Sequence, residues 1–324
     1  MAGLAGWQGT FGTPEAEVVA FVRRAIGVTP VGLRRLVVGD ENEVYRVDVD
    51  DAGAVYVRIQ RPGATGFDPE LWAMGLARDA GIPVPALLGR GPIESADGGV
   101  RDAMVIAAAT GTQLSELLPT LTSDDRRLVM HNIGTTVAEL HAVGTPGVGR
   151  PDPAGVWPAV EDEAARYLGE CRRQIAYLER AGLARVEIDA VDQLIGTSPD
   201  TPTRANPVLC HGDLHAAHVF LDDHRVTGII DWGLWHGGSI IDDLSSMSMV
   251  HDQGDVDAIL AAHGPPIGVG DDLRDRLALS VVHQALGHIA WHVDIGNERG
   301  VDHYVTRLRS ALDILGYSHP CTAP

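Results

Sequence analysis

The side chains best placed to do chemistry lie in one short stretch, His211-Gly212-Asp213-Leu214-His215-Ala216-Ala217-His218, with Gly228-Ile229-Ile230-Asp231-Trp232-Gly233 soon after it. Between them, two apolar runs flank the polar tip Asp222-Asp223-His224-Arg225, which predicts a two-strand ribbon. A hairpin of that size draws Asp213, His218 and Asp231 into one small volume. One acid beside an attacking hydroxyl, and two oxygen or nitrogen ligands on a divalent ion, is the arrangement that phosphoryl transfer from a nucleotide requires. The reading is therefore a small-molecule kinase. Asp213 is the expected acid-base group, orienting a hydroxyl and accepting its proton. Asp231, at a strand end, suits Mg²⁺ on nucleotide phosphates. Imidazole is a poorer Mg²⁺ ligand than oxygen, so His218 either coordinates through a neutral nitrogen or only hydrogen-bonds Asp213. His211 and His215 read as loop supports. The plainer alternatives are a turn aspartate capping its own loop and a solvated strand-end acid.

The pattern from His211 through Asp231-Trp232-Gly233 to Asp243-Leu244 resembles the catalytic and metal loops of the aminoglycoside phosphotransferase family. Members of that family have a protein-kinase-like fold and phosphorylate hydroxyls of antibiotics or small metabolites. Their usual spacing is His-Gly-Asp, four residues, then Asn, and here His218 stands at the Asn position. A His there, with an Arg at the usual ATP-lysine position, is similar to the macrolide kinase branch. The resemblance implies that His218 and Asp231 hold the metal, with His211 and Asp243 supporting the site. It also implies that Arg58, in Val55-Tyr56-Val57-Arg58-Ile59, binds phosphates as a bidentate fork. Glu70, near the start of the next helix, is positioned like the family's partner glutamate. The segment Gly39-Asp40-Glu41-Asn42-Glu43 resembles the loop over the nucleotide, which places Gly39 and Asn42 there; a plain hairpin is the other reading. Ile106-Ala107-Ala108-Ala109 aligns with the linker whose backbone, at Ala107 and Ala109, pairs with the purine. One departure is Gly238-Ser239-Ile240, where the family has Gly-Asp-Pro. The resemblance runs roughly from residue 36 to residue 250 and is strongest over 210–244.

Composition bounds the partners. The 324 residues carry a net charge of −19 with a pI near 5.0, which argues against nucleic acid or an anionic membrane. All 25 basic residues are Arg; with abundant Ala, Gly, Val and Asp, this suggests a GC-rich genome rather than a local functional choice. Cys171, Cys210 and Cys321 have unrelated spacings and give neither a disulfide framework nor a zinc signature. No signal-peptide progression and no apolar run of ~20 residues is present, so the expected setting is soluble and cytoplasmic.

The elements that must position these residues follow from periodicity. Thr13-Pro14-Glu15 starts a helix, with Thr13 as the capping hydroxyl and Gly27 as the stop. Leu33–Val38, Glu43–Val49 and Val55–Ile59 are strand-like, the last two joined by a turn over 50–53. Phe67–Ala80 is a helix, Ile82-Pro83-Val84-Pro85 an extended segment and Met104–Ala109 a further strand. Beyond Gly111 the pattern turns helical: a segment capped by Thr122 and running to His141, then Val160–Ala181 and Leu273–His292. Thr145–Pro158 and Gly264–Gly270 are loops. The expected fold is α+β and bilobal, with a β-rich nucleotide-binding lobe over 1–108. A larger, mainly helical lobe over 109–324 then carries the catalytic loop, metal site and acceptor pocket. Acceptor-lining candidates are Glu161, Asp162, Glu163 and Glu170 for amines, or Trp235, His236, Trp291 and His292 for an apolar sugar or macrolactone; either set also reads as ordinary surface and core.

Three functions fit the residues. The first is an ATP- or GTP-dependent, Mg²⁺-requiring O-phosphotransferase acting on an antibiotic hydroxyl, with a kinase of an endogenous alcohol or sugar as its near variant. The second is a zinc hydrolase using His211, Asp213, His215, His218 and Asp231; tightly bound stoichiometric zinc would favour it. The third is a pseudokinase binding module, suggested by the missing lysine and asparagine and marked by nucleotide binding without turnover. Oligomeric state is not legible.

Overall fold

A computed structural model of the chain describes residues 12–37, 42–49, 53–61, 63–64, 66–96, 98–197, 206–264 and 272–317. Gly39 with Asp40 and Glu41, the turn at 50–52, the loop at 265–270 and Cys321 lie outside the described residues.

The first region is an antiparallel sheet of β1 (Pro30–Leu36), β2 (Asn42–Val49), β3 (Gly53–Gln60), β4 (Leu87–Glu94) and β5 (Val100–Ala107), in the order β1-β2-β3-β5-β4. Strict alternation in β2 turns Glu43, Tyr45, Val47 and Val49 to one buried face. There Tyr45, Val47 and Val49 share one apolar cluster with Val18, Phe21 and Val22 of α1 (Glu15–Ile26). Gly27 ends α1 in the left-handed conformation, as a C-terminal stop requires. Thr13 does not cap it. Its hydroxyl instead donates to the buried Glu43 carboxylate at 2.6 Å, which Arg101 also reaches at 3.0 Å. A buried acid needs such partners, and that demand outweighs the local capping preference. β1 begins three residues earlier than the apolar run suggests, and the last strand ends at Ala107, leaving Ala109 beyond it. β4 is absent from the sequence expectation because Gly89, Gly91 and Pro92 interrupt its pattern.

Between β3 and β4 lies α2 (Asp68–Asp79). It packs away from the α1 core: Ala73, Met74, Ala77 and the following Ile82 join the interior of the second region. They share that interior with Val129, Met130, Ile133 and Val137 of α4 (Ser123–His141), which follows the short α3 (Leu114–Leu117), while α2 itself rests against the turn Trp232–Leu234. Thr122 caps α4, its hydroxyl accepting from Asp125 N. Trp72 of α2 also lies 4.9 Å, ring to ring, from Trp235 and 6.0 Å from Trp157. Trp235 is thus a core residue, and it does not line an acceptor surface.

The second region is mainly helical. α5 (Val160–Ile175), α6 (Arg185–Thr197), α9 (Leu273–Ile295) and α10 (Glu298–Ile314) share one interior. α5 stops at Ile175, short of the expected Ala181, and a turn through Gly182 follows. α9 runs past His292 to Ile295. Small sheets carry the loops: β6 (Thr112–Gln113) pairs with β8 (Val219–Asp222), β8 with β9 (Arg225–Ile229), and β7 (Val208–Cys210) with β10 (His236–Gly238). The β8–β9 link is the expected tight hairpin, with Asp223 (φ 44°) and His224 (φ 66°) as its central residues. α7 (Ile240–Val250) and α8 (Gln253–His263) complete the set. Ser239 caps α7: its hydroxyl accepts from Ile241 N, and Asp242 accepts from Ser239 N at 2.9 Å. That gives the Gly238-Ser239-Ile240 departure a local role. No helix among the described residues is long and apolar enough to cross a membrane.

Candidate active site

The loop between β7 and β8 carries Asp213, and its shape follows from Gly212. At φ 81°, and with the carbonyl oxygen of Leu234 where a Cβ would stand, only glycine fits. The amides of His211 and Gly212 both donate to Asp243 of α7, at 2.8 Å each. His211 Nε2 lies 2.9 Å from the Ile230 carbonyl, so it donates there. Its Nδ1 is then left to accept from Asp213 N at 3.2 Å. Burial, with the charge of His218 adding to it, keeps this ring neutral and takes its pKa down to about 4 despite Asp243. Both nitrogens of His211 are occupied inside the loop, which removes it from any zinc set.

His218 joins the two acids. Its Nδ1 lies 2.8 Å from the Asp213 carbonyl oxygen, and a carbonyl cannot donate, so Nδ1 carries the proton. The other ring nitrogen, Nε2, faces Asp231 Oδ2 at 3.8 Å, while Asp213 Oδ2 lies 3.6 Å from Nδ1. An unprotonated imidazole nitrogen and a carboxylate oxygen at that spacing fit a shared divalent cation. His215 stacks on His218 with centroids 3.9 Å apart and places Nε2 3.7 Å from Asp213 Oδ1. Burial and the neighbouring His218 take its pKa down to about 3. Asp213, His215 and His218 are also close enough together to bind one ion.

Asp231 follows β9 in a left-handed conformation (φ 64°, ψ 64°) that turns its carboxylate out of the strand; such a backbone is uncommon for a non-glycine residue. Its partial enclosure works to raise the carboxyl's pKa, but Arg58 and His218 outweigh this and hold it below the ordinary value. Arg58, on β3, is buried; it grips Glu70 of α2 with Nη1 and reaches Asp231 Oδ1 with Nη2 at 3.1 Å. Phe67 lies under its guanidinium, with the ring centroid 5.6 Å away. Asn42 opens β2 opposite Gln60. Ala107 donates its amide to Ala86 O, whereas the amide and carbonyl of Ala109 have no hydrogen-bond partner among the described residues.

Three residues without a sequence signal belong to this assembly. Arg150, in a Pro-Gly loop, pins the turn after Asp231 by donating to Gly233 O at 2.7 Å and to Trp235 O. His141 donates to Asp243 at 3.2 Å, and His263 touches His141 at 2.9 Å. Only their positions at helix ends mark the two histidines, and helix ends are common places for histidine.

A model of the phosphotransferase enzyme family matches residues 32–284. An aminoglycoside 3'-phosphotransferase from Streptomyces ribosidificus is 29% identical over 222 residues, 58% of this chain and 73% of that one. Among solved structures, an aminoglycoside phosphotransferase in ternary complex with ADP and hygromycin B superposes with a TM-score of 0.65 at 16% identity, covering 92% of this chain and 98% of its own. A macrolide 2'-phosphotransferase from Brachybacterium faecium gives 0.58 at 20% identity, covering 90% and 97%. A kanamycin and GDP complex of another aminoglycoside phosphotransferase gives 0.66 at 15%, covering 91% and 98%.

Proposed function

The chain belongs to the phosphotransferase enzyme family, and from that membership we propose that it transfers the terminal phosphoryl group of ATP or GTP to a hydroxyl of a sugar-bearing antibiotic. It is a nucleotide-dependent phosphotransferase acting on hydroxyl groups. The observation that carries the finer reading is the continuous line Glu70–Arg58–Asp231–His218–Asp213, which joins a fork for phosphates to a carboxylate for a hydroxyl. Relatives that phosphorylate aminoglycosides or macrolides support an antibiotic acceptor. The ADP and GDP in related structures leave both donors in play.

Arg58 holds the phosphates from the sheet side, with Glu70 and Phe67 fixing the guanidinium plane. The free backbone of Ala109 supports purine recognition at the end of β5. His218 Nε2 and Asp231 Oδ2 would hold Mg²⁺, which, when bound, supplies positive charge to the phosphate oxygens. Asp213 orients the acceptor hydroxyl and takes its proton as the new O–P bond forms. The segment 1–108 then binds nucleotide, and 109–324 supplies the catalytic loop, the metal ligands and the acceptor surface on α5 and α9. We place the reaction in the cytoplasm, where its nucleotide donor is made.

A panel of aminoglycosides, macrolides and other glycosylated antibiotics, incubated with MgATP or MgGTP, tests this by mass spectrometry. Gain of one phosphoryl group on a panel member, absent in Asp213→Ala, supports the reading. Phosphorylation of a simple sugar or alcohol with no antibiotic touched would replace it with a metabolic kinase.

A further inference from the structure

A run of hydrogen bonds leads from the catalytic loop into the interior. Asp243 is fully buried and holds the amides of His211 and Gly212. It also receives His141 Nε2, at 3.2 Å. His141 is the last residue of α4, and its Nδ1 lies 2.9 Å from Nε2 of His263, the last residue of α8. His263 Nδ1 lies 3.1 Å from the Gly264 carbonyl oxygen. The two helices approach this closely because Gly134 has no side chain; a Cβ there would run into the carbonyl oxygen of Ile259.

The proton count fixes the charge of this run. It has three links, and both ends only accept. A carbonyl oxygen has no hydrogen, and Asp243 is ionised. Burial works to raise its carboxyl, but the His141 bond and the loop amides outweigh burial and bring it to about 2. Each link needs one N–H, whereas two neutral imidazoles carry two between them. The third link requires one extra proton. That proton sits on His141, the ring in contact with the Asp243 carboxylate, because His263 faces only a neutral carbonyl and burial favours its uncharged form despite the Gly264 bond. We infer that His141 is a buried imidazolium, clamped between the Asp243 carboxylate and a neutral His263, and that it is a positioning residue for Asp213 through the carboxylate anchoring the catalytic loop. This rests on the phosphotransferase reading only for what the loop does, not for the charge.

Other titratable groups around the pair do not supply that charge. The Cys210 thiol of β7 lies against His141 and Asp243, and burial raises it well above the usual thiol range, so it stays neutral. His211, on the far side of Asp243, is neutral too. Asp242, the other acid at the start of α7, is engaged by Ser239 N and His236.

Ring ¹⁵N spectra of histidine-labelled full-length protein read the protonation directly and need no variant. At neutral pH His141 should carry protons on both nitrogens and His263 on Nδ1 alone. A single ring proton on His141 overturns the assignment. Amide exchange at His211 and Gly212, corrected for intrinsic rates, reads the anchor without any substrate. His141→Gln keeps a donor toward Asp243 but not the charge, and should lower protection there roughly tenfold or more. Protection in the natural protein should also fall as pH rises and the shared proton leaves. His263→Gln can accept from Nδ1 and donate to Gly264, so it should keep that pH profile, whereas His263→Phe should move the fall to lower pH. Protection in His141→Gln equal to that of the natural protein at every pH would remove the positioning role. If turnover is never found on any hydroxyl, the proposed reaction fails while these two readouts still stand.

Discussion

Arg58 and Asp231 are 173 positions apart in sequence, yet the arginine's Nη2 lies 3.1 Å from the aspartate's Oδ1. The contact ties the sheet to the turn after β9 and sets two charges of opposite sign at the mouth of the proposed phosphate site. Arg58 does this with one nitrogen while gripping Glu70 with the other.

A lysine at this position keeps the charge but loses the fork. Arg58→Lys should therefore raise KM for nucleotide and lower kcat, retaining part of the activity. Arg58→Ala should lose more on both counts, since it leaves buried Glu70 without its cation. Steady-state kinetics with varied nucleotide checks this, and two variants indistinguishable from the natural protein would take Arg58 out of the site.

Replacing Asp213 with Ala should cost ~10²–10⁴-fold in turnover, the usual scale for losing a general base. Nucleotide affinity, followed by calorimetric titration, should change little because the carboxylate faces the acceptor. Retention of more than about a tenth of the turnover would assign proton transfer to another group.

His218→Asn should keep Mg²⁺-dependent turnover, because an amide oxygen binds Mg²⁺ as an imidazole nitrogen can. His218→Phe, which offers no ligand, should raise the Mg²⁺ concentration needed for half-maximal turnover. Turnover measured across Mg²⁺ concentrations decides the point, and an unchanged Mg²⁺ requirement in His218→Phe would take His218 out of the metal site.

Asp243 should make the fold acid-sensitive. Its carboxyl is taken from 3.8 down to about 2 in the folded state, so its contribution is present above the unfolded value and is lost as pH falls toward about 2. That contribution is about 2 kcal/mol on the scale of the shift. Urea midpoints from pH 5 to pH 2 should fall more steeply for the natural protein than for Asp243→Asn; parallel slopes would contradict the assignment.

What was legible in the sequence lay where chemistry and periodicity coincide. The hairpin tip at Asp223-His224, the stop at Gly27, the Thr122 cap and the α+β division all follow from local patterns. Asp213, His218 and Asp231 come together because the hairpin is short. Other contacts are long-range choices that no local pattern encodes. Thr13 abandons its cap for Glu43, since a buried carboxylate must be satisfied by whatever donor is near. His141 and His263 meet only because Gly134 lets two helices cross, and Arg150 finds its carbonyls from a loop with no period at all. β4 stays hidden because glycines and a proline blur its alternation.

The packing of α2 also bears on where this chain can be cut. Ala73, Met74, Ala77 and Ile82 belong by sequence to the first region and by contact to the interior of the second. A fragment ending near residue 108 would set Met74 and Ile82 in water, forgoing about 1.5–3 kcal/mol for each large side chain. Melting should then appear in a scanning calorimeter as one heat-absorption peak, and a swap of the first region between relatives has to carry with it the turn at Trp232–Leu234 and Trp235, against which α2 rests.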